Sequence, residues 1–338
     1  SGSLVRIRQE AHLRSFLTGK DSLFLHLIIY SPLFPVYFCF MNILDTFHSF
    51  FQRFKKPSMD VALVLGGGGA RGFAHIGAIE VLQAHGYHIT SVAGTSMGAL
   101  VGGLFVAEKM DKLKAIAHSL TRVQMLKMMD VSPGLDHLAS GERLLKELRR
   151  IVGEVRIEDL SIPFACVASD VISGKAHVFR EGELAQAIRA SVSIPCFFKP
   201  VEIEGALYVD GSVHDTLPLD VVSRKKGDLL VAVNASAPDE HPLSNAVPTT
   251  MYENGSFWMR WIPAMKSGLS SNYVNMAVRV ACLSVQNNTV MAEQLTPPDI
   301  LADVPMDAFG LFDFTRADEI ITYGRQAMEK ALIEKNLK

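Results

Sequence analysis

Apolar positions follow three regimes along the chain, and the changes between them mark its organisation. From Ser22 to Leu44 runs the longest uncharged stretch, long enough on paper to cross a bilayer. Pro32 and Pro35 interrupt it, and His26, Ser31 and Asn42 dilute it. One straight spanning helix therefore fits less well than two pieces broken at the prolines, re-entrant or lying on the surface. From Phe40 the apolar residues Phe40, Ile43, Leu44, Phe47, Phe50, Phe51 and Phe54 fall within about 120° of arc on a helical wheel. Asn42, Asp45, Ser49, Gln52 and Arg53 take the other side, and Lys55 and Lys56 follow. Such a helix suits an in-plane membrane position, with phenylalanines at the acyl boundary and cations at lipid phosphates. The alternative is packing on its own domain or on a second copy.

Lys56-Pro57-Ser58 closes that segment, and short apolar runs then alternate with helical ones. Val61 to Leu65 reads as a buried strand, Gly66 to Gly72 as a tight turn and Phe73 to His85 as a helix. Ile89 to Ala93 is the next strand, Gly94 to Gly98 a second turn, and Ala99 to Glu108 a small-residue helix. This repetition predicts an α/β domain over residues 57–338 with a mostly parallel sheet, behind a helical membrane-associating segment over 1–56. Both glycine turns lie at carboxyl ends of strands, the edge where open parallel sheets bind ligands. The third regime is a polar insert of low periodicity, about 240–285. There Trp258 and Trp261 cluster with Phe257, Met259, Ile262 and Met265, as a lipid-facing cap or a core cluster would.

Composition narrows the function classes. With 338 residues, 49% hydrophobic and 20% charged, the chain buries a substantial core and is not disordered. Its net charge is −2 and its bases form no long run, which excludes an electrostatic nucleic-acid binder. The charge is uneven: residues 1–56 hold seven bases and three acids, so the remainder is acidic. Cys39, Cys166, Cys196 and Cys282 show no paired short spacing, which argues against disulfides and a zinc site and for a reducing compartment. No metal or other cofactor is expected. No small-residue cleavage site follows the apolar stretch, and the leading Ser-Gly-Ser reads as an expression scar. The expected location is the cytoplasm, peripheral to the inner face of a membrane engaged through residues 22–56. Homo-oligomerisation stays open.

The second turn, Gly94-Thr95-Ser96-Met97-Gly98, is a G-x-S-x-G elbow whose glycines permit a strained turn holding a serine hydroxyl above the sheet. Alone the pentapeptide is a modest signal; its place between strand and helix makes Ser96 a candidate nucleophile. The first turn, Gly66 to Gly72, contains a G-x-G-x-x-G match at Gly67, Gly69 and Gly72. A dinucleotide site needs a carboxylate about 20 residues on, and Tyr87 to Ala93 has none. A phosphate loop needs a lysine where Phe73 stands. What remains is a row of unobstructed backbone N–H groups at Gly67, Gly68 and Gly69, suited to a tetrahedral oxyanion. Arg71 would steer a lipid phosphate or pair with an acid at the helix start. The serine needs a base: His214 or His241 would close a triad, or Asp210, beside Gly211, would itself take the proton. A carboxylate is a weak base, so a Ser-Asp pair leans heavily on oxyanion stabilisation.

Together, Gly67 to Gly72 with Arg71, the Ser96 elbow and Asp210-Gly211 resemble the patatin-like phospholipases, especially the bacterial branch related to the neuropathy target esterase catalytic domain. The similarity continues through Phe164 to Asp170, Ile188-Arg189-Ala190-Ser191 with Ile194-Pro195, Asp299-Ile300, and Phe314 to Gly324. The resemblance implies a three-layer α/β/α fold and a Ser96–Asp210 dyad with the glycine loop as oxyanion hole. It also implies metal-independent hydrolysis of phospholipid or lysophospholipid esters. Two departures concern the loop after Asp210: Ser212 stands where Gly or Ala is usual, and His214-Asp215 where amides are common. Asp170 and Arg189 read as structural. A membrane-recruited lipid or nucleotide binder without hydrolysis is the competing class.

Overall fold

The computed structural model describes residues 59–129, 139–195, 197–240 and 271–337, all within one compact unit, Ser58–Lys338. The amphipathic segment 22–56, the Trp258–Trp261 cluster, His241 and Cys196 lie outside the described residues.

In chain order, β1 (Asp60–Leu65) leads through a 3₁₀ turn (Gly69–Phe73) into α1 (Ala74–Ala84); β2 (His88–Thr95) leads directly into α2 (Met97–Val106). There follow α3 (Met110–Ser119), α4 (Arg122–Met129), α5 (Glu142–Val152), β3 (Phe164–Asp170), β4 (Lys175–Phe179) and α6 (Leu184–Ser191). The chain continues through β5 (Val201–Ile203), β6 (Ala206–Asp210), β7 (Leu229–Ala237), α7 (Ser271–Leu295), β8 (Ile300–Pro305) and α8 (Ala317–Asn336). The predicted strands and helices of the first half are present within one or two residues of their ends.

The eight strands form one sheet in the order β5-β6-β3-β2-β1-β7-β8, with β4 also on β3. Its centre is parallel, β3-β2-β1-β7-β8, whereas β4 and β6 run antiparallel to β3, and β5 to β6. The sheet is therefore mixed, because two hairpins add short return strands that the apolar pattern does not announce. β5 and β6 are joined by Glu204 and Gly205, both at positive φ (52° and 82°), the two-residue turn whose twist matches paired strands. β4 is mostly exposed and opens Lys175-Ala176-His177, without the continuous apolar run of the central strands.

Alternate residues of the strands feed two cores. Val61, Leu63, Leu65, Phe164, Cys166, Val231 and Val233 pack with Ile76 and Ile79 of α1, Leu104 of α2, Ile188 of α6 and Ile321 of α8. Ala62, Val64, Ala93, Ala165, Val167 and Ala232 face the other way, under Leu217 to Val222 and Ala292 of α7. Both faces are covered, which gives the three layers and explains why β1 reads as a continuous apolar run. Strand order reverses at β1, with β2 on one side and β7 on the other. The glycine turn after β1 and the elbow after β2 thus open at this crevice.

Candidate active site

Strand β2 hands over to α2 through Ser96, which has φ 54° and ψ −121° and forms the N-cap of the helix. A positive φ at a serine is strained backbone, and here it lifts the side chain at the end of a buried strand. The helix begins immediately after Ser96 rather than at Ala99, so the positive end of its dipole lies at the hydroxyl. Tight packing makes the elbow possible: a Cβ at Gly98 would stand 1.9 Å from the carbonyl oxygen of Leu65, so only glycine lets α2 approach β1 this closely.

Asp210 ends β6, which runs toward β2 along the same edge of β3, and its carboxylate meets the serine: Ser96 Oγ donates to Asp210 Oδ2 at 2.5 Å. Both residues are only 4% exposed. The second oxygen, Oδ1, accepts the Ser212 N–H at 2.9 Å. Burial raises the carboxyl to about 6, while hydrogen bonds from Ser96 and from the Ser212 backbone and side chain hold it down against that push. A carboxylate with this pKa is a better base than a solvated one and stays ionised at neutral pH.

The glycine turn runs alongside. A Cβ at Gly67 would stand 3.4 Å from Ser96 Cβ and 2.2 Å from Ser212 Oγ, so the serine, the aspartate loop and the glycine turn converge. The turn does not offer all three expected donors, however. The Gly67 N–H donates to the Thr216 carbonyl at 2.9 Å, and the Ala70 N–H to the Leu311 carbonyl at 2.8 Å. Among the described residues no acceptor takes the N–H of Gly68 or Gly69, at the open start of the 3₁₀ turn. The expectation of three free donors is thus corrected to two.

Arg71 also departs from expectation. It is 2% exposed, and among the described residues no acid pairs with it. Its Nε donates to the Ala235 carbonyl at 2.8 Å and Nη1 to the Phe309 carbonyl at 2.9 Å, pinning the glycine turn to β7 and to the chain after β8. Burial lowers its pKa to about 10, so it stays cationic. His75 fastens the other end: its Nε2 hydrogen donates to the Gly66 carbonyl at 2.8 Å, and burial pushes the ring to about 4, leaving it neutral.

His214 does not complete a triad. It is exposed, and its Nε2 bonds the Gly174 carbonyl at 3.1 Å. Asp170 caps the β3–β4 turn by accepting the Ile172 N–H. Arg189, 3% exposed, donates to the carbonyls of Ser140, Gly141 and Lys199 and to Ser193 Oγ, a structural hub as read. No cluster able to hold a metal ion is present among the described residues. Sequence reasoning missed Ser191, Ser212 and Asn288. Asn288 of α7 accepts the Thr216 N–H through Oδ1 and donates to the His214 carbonyl, holding the loop after Asp210 from outside. Ser191 left a trace only as the end of the family-like run Ile188 to Ser191, and Ser212 as a departure from the family pattern.

A family model described as patatin-like phospholipase matches residues 63–223, a span that holds the glycine turn, Ser96 and Asp210. The chain is 42% identical over 198 residues to an uncharacterised NTE family protein of Mycobacterium tuberculosis, covering 59% of this chain and 55% of that protein. It is 28% identical to lysophospholipase NTE1 of Scheffersomyces stipitis, over 80% of this chain and 18% of the relative. It is 29% identical to mouse patatin-like phospholipase domain-containing protein 7, over 82% and 21%. The chain thus spans about half the length of the mycobacterial relative and a smaller part of the others. Among solved structures, VipD from Legionella pneumophila aligns over 80% of this chain and 67% of its own, with 15% identity and a TM-score of 0.41.

Proposed function

We propose, from the match of residues 63–223 to the patatin-like phospholipase family model, that this chain is a lipid acyl hydrolase in which Ser96 is the nucleophile and Asp210 the base. The observation that carries the reading is the buried 2.5 Å hydrogen bond from Ser96 Oγ to Asp210 Oδ2, near the N–H groups of Gly68 and Gly69 that take no acceptor among the described residues. Ser96 Oγ attacks the ester carbonyl carbon while its proton passes to Asp210 Oδ2, and the carbonyl oxygen, now an anion, takes the N–H groups of Gly68 and Gly69. Collapse breaks the acyl C–O bond, and Asp210 returns the proton to the departing glycerol oxygen. Water then attacks the acyl-serine, giving its proton to Asp210. The fatty acid leaves as Ser96 recovers that proton.

The geometry favours a dyad because no described histidine reaches Ser96, and burial supplies the basicity that a bare carboxylate lacks. The substrate class follows from the domain: a phospholipid or lysophospholipid, brought from a cytoplasmic membrane face that the segment 22–56 engages. The test is fatty-acid release from lysophosphatidylcholine and from phosphatidylcholine vesicles, read by mass spectrometry. Ser96→Ala and Asp210→Asn should each lower the rate by on the order of 10⁴-fold while keeping the fold. Retained turnover in either variant removes that residue from its role.

A further inference from the structure

Ser96 and Asp210 stand at the ends of strands that do not touch. Thr95, before the nucleophile, is in register with Val167 of β3, and Asp210 with Ala168, the next residue along the same edge of that strand, since β4 takes the opposite edge beside both. β2 and β6 therefore run toward one another along one edge of β3, carboxyl end facing carboxyl end. Each chain turns off the ladder at that point, at Ser96 into α2 and after Asp210 into a 3₁₀ turn, so the serine–carboxylate contact depends on how both ends are held.

The segment leaving α6 holds both. Ser191, fully buried, accepts the Ser96 N–H on its Oγ at 2.8 Å and donates the same hydroxyl to the Val167 carbonyl at 2.6 Å. Two residues on, the Ser193 carbonyl accepts the Asp210 N–H at 2.9 Å. Ser193 is itself clamped, its Oγ taking Arg189 Nη1 at 2.6 Å and donating to the Arg189 carbonyl at 2.8 Å. Val167 is the common seat: a Cβ at Gly211 would come within 2.2 Å of its carbonyl oxygen, so the aspartate side also presses against the atom that anchors Ser191.

We propose that Ser191 is a positioning residue for the nucleophile and that the segment Ser191–Ser193 is the spacer that sets the Ser96–Asp210 distance. The hydroxyl of Ser191 fixes the one backbone N–H of the strained elbow and ties it to β3, while the next carbonyl but one fixes the base. The inference rests on the proposed hydrolase reading and adds a residue that touches neither substrate nor proton.

Ser191→Ala tests it, with p-nitrophenyl butyrate turnover and fluorophosphonate labelling as readouts. Without the hydroxyl the Ser96 N–H is an orphan and Oγ drifts from Oδ2, so kcat and the labelling rate should fall about 10²-fold, with KM little changed. The Ser96 hydrogen bond holds the Asp210 carboxyl down, and the other groups setting it are burial and Ser212, with no charged side chain among them. Its loss should therefore move the acid limb of kcat upward in pH, a shift that general loosening would not produce. Ser191→Thr, which keeps the hydroxyl, should restore most of the rate and return the limb. If Ser191→Ala does not fold, the nearly isosteric Ser191→Cys, with its weaker acceptor, carries the same comparison and should show the same shifts to a smaller extent. A wild-type protein that labels at Ser96 while the Ser191 variant labels equally fast, or slows with an unmoved limb, overturns this inference alone. A wild-type protein that does not label overturns the hydrolase reading and this inference with it.

Discussion

Asp210 carries opposite consequences for stability and for activity, and both follow from one buried carboxyl. Its folded pKa, about 6, lies above the ordinary 3.8, so between those values the unfolded chain releases the proton first and ionisation favours unfolding. Stability should fall as pH rises through that window and stay lower above it, a cost of up to roughly 3 kcal/mol. Asp210→Asn removes the cost: its melting temperature should exceed the wild type's at pH 8, with the gap closing toward pH 4. Activity runs the other way, since only the ionised carboxylate accepts the serine proton, and kcat/KM should climb with pH through a limb near 6. Ser212 adjusts that limb. Its N–H and hydroxyl both favour the charged form, so Ser212→Ala, which keeps only the N–H, should move the limb upward in a pH–rate profile. Ser96 and Asp210, which the structure brings into hydrogen-bond contact, were legible in the sequence as candidates because each is tied to a local glycine pattern. Ser191 was not: its partners, Ser96 and Val167, are 95 and 24 residues away, and only the strand register brings them to it. Nor could the sequence say which glycine N–H groups stay free, because the acceptors at Thr216 and Leu311 come from distant loops.

Among the elements, the β1-turn-α1 and β2-elbow-α2 units carry the site, and their continuous apolar strands and small-residue helices made them readable. The contact between them depends on the missing side chain at Gly98. A methyl there would meet the Leu65 carbonyl at 1.9 Å, and a backbone atom cannot rotate away. Gly98→Ala should cost about 3 kcal/mol. It should lower the melting temperature by on the order of 5–10 °C in a calorimetric scan and abolish turnover. The short strands β4 and β5 escaped the sequence reading because exposed edge hairpins need little apolar pattern; for β5, the positive-φ turn to β6 at Glu204-Gly205 is the signal that was there to find. Helix α7 belongs to the same scale. Through Asn288 it braces the loop that follows Asp210, although it comes more than 70 residues later in the chain.

For the whole molecule, the covered mixed sheet explains why the site lies at one edge, where the strand order reverses and both glycine turns open. No helix among the described residues is long and apolar enough to cross a membrane. From its sequence pattern, the basic, phenylalanine-rich segment 22–56 is proposed to give access to a bilayer. The full chain should float with anionic vesicles, and a chain beginning at Ser58 should not; equal flotation would take the anchoring role from that segment. The central claim, a serine made nucleophilic by a lone buried carboxylate, is tested most directly by mapping a fluorophosphonate adduct by peptide mass spectrometry. The account predicts one adduct on Ser96 in the wild type, formed far more slowly by folded Asp210→Asn and little affected by His214→Ala. An adduct on another serine, or labelling that survives loss of Asp210 but fails with loss of His214, would contradict it.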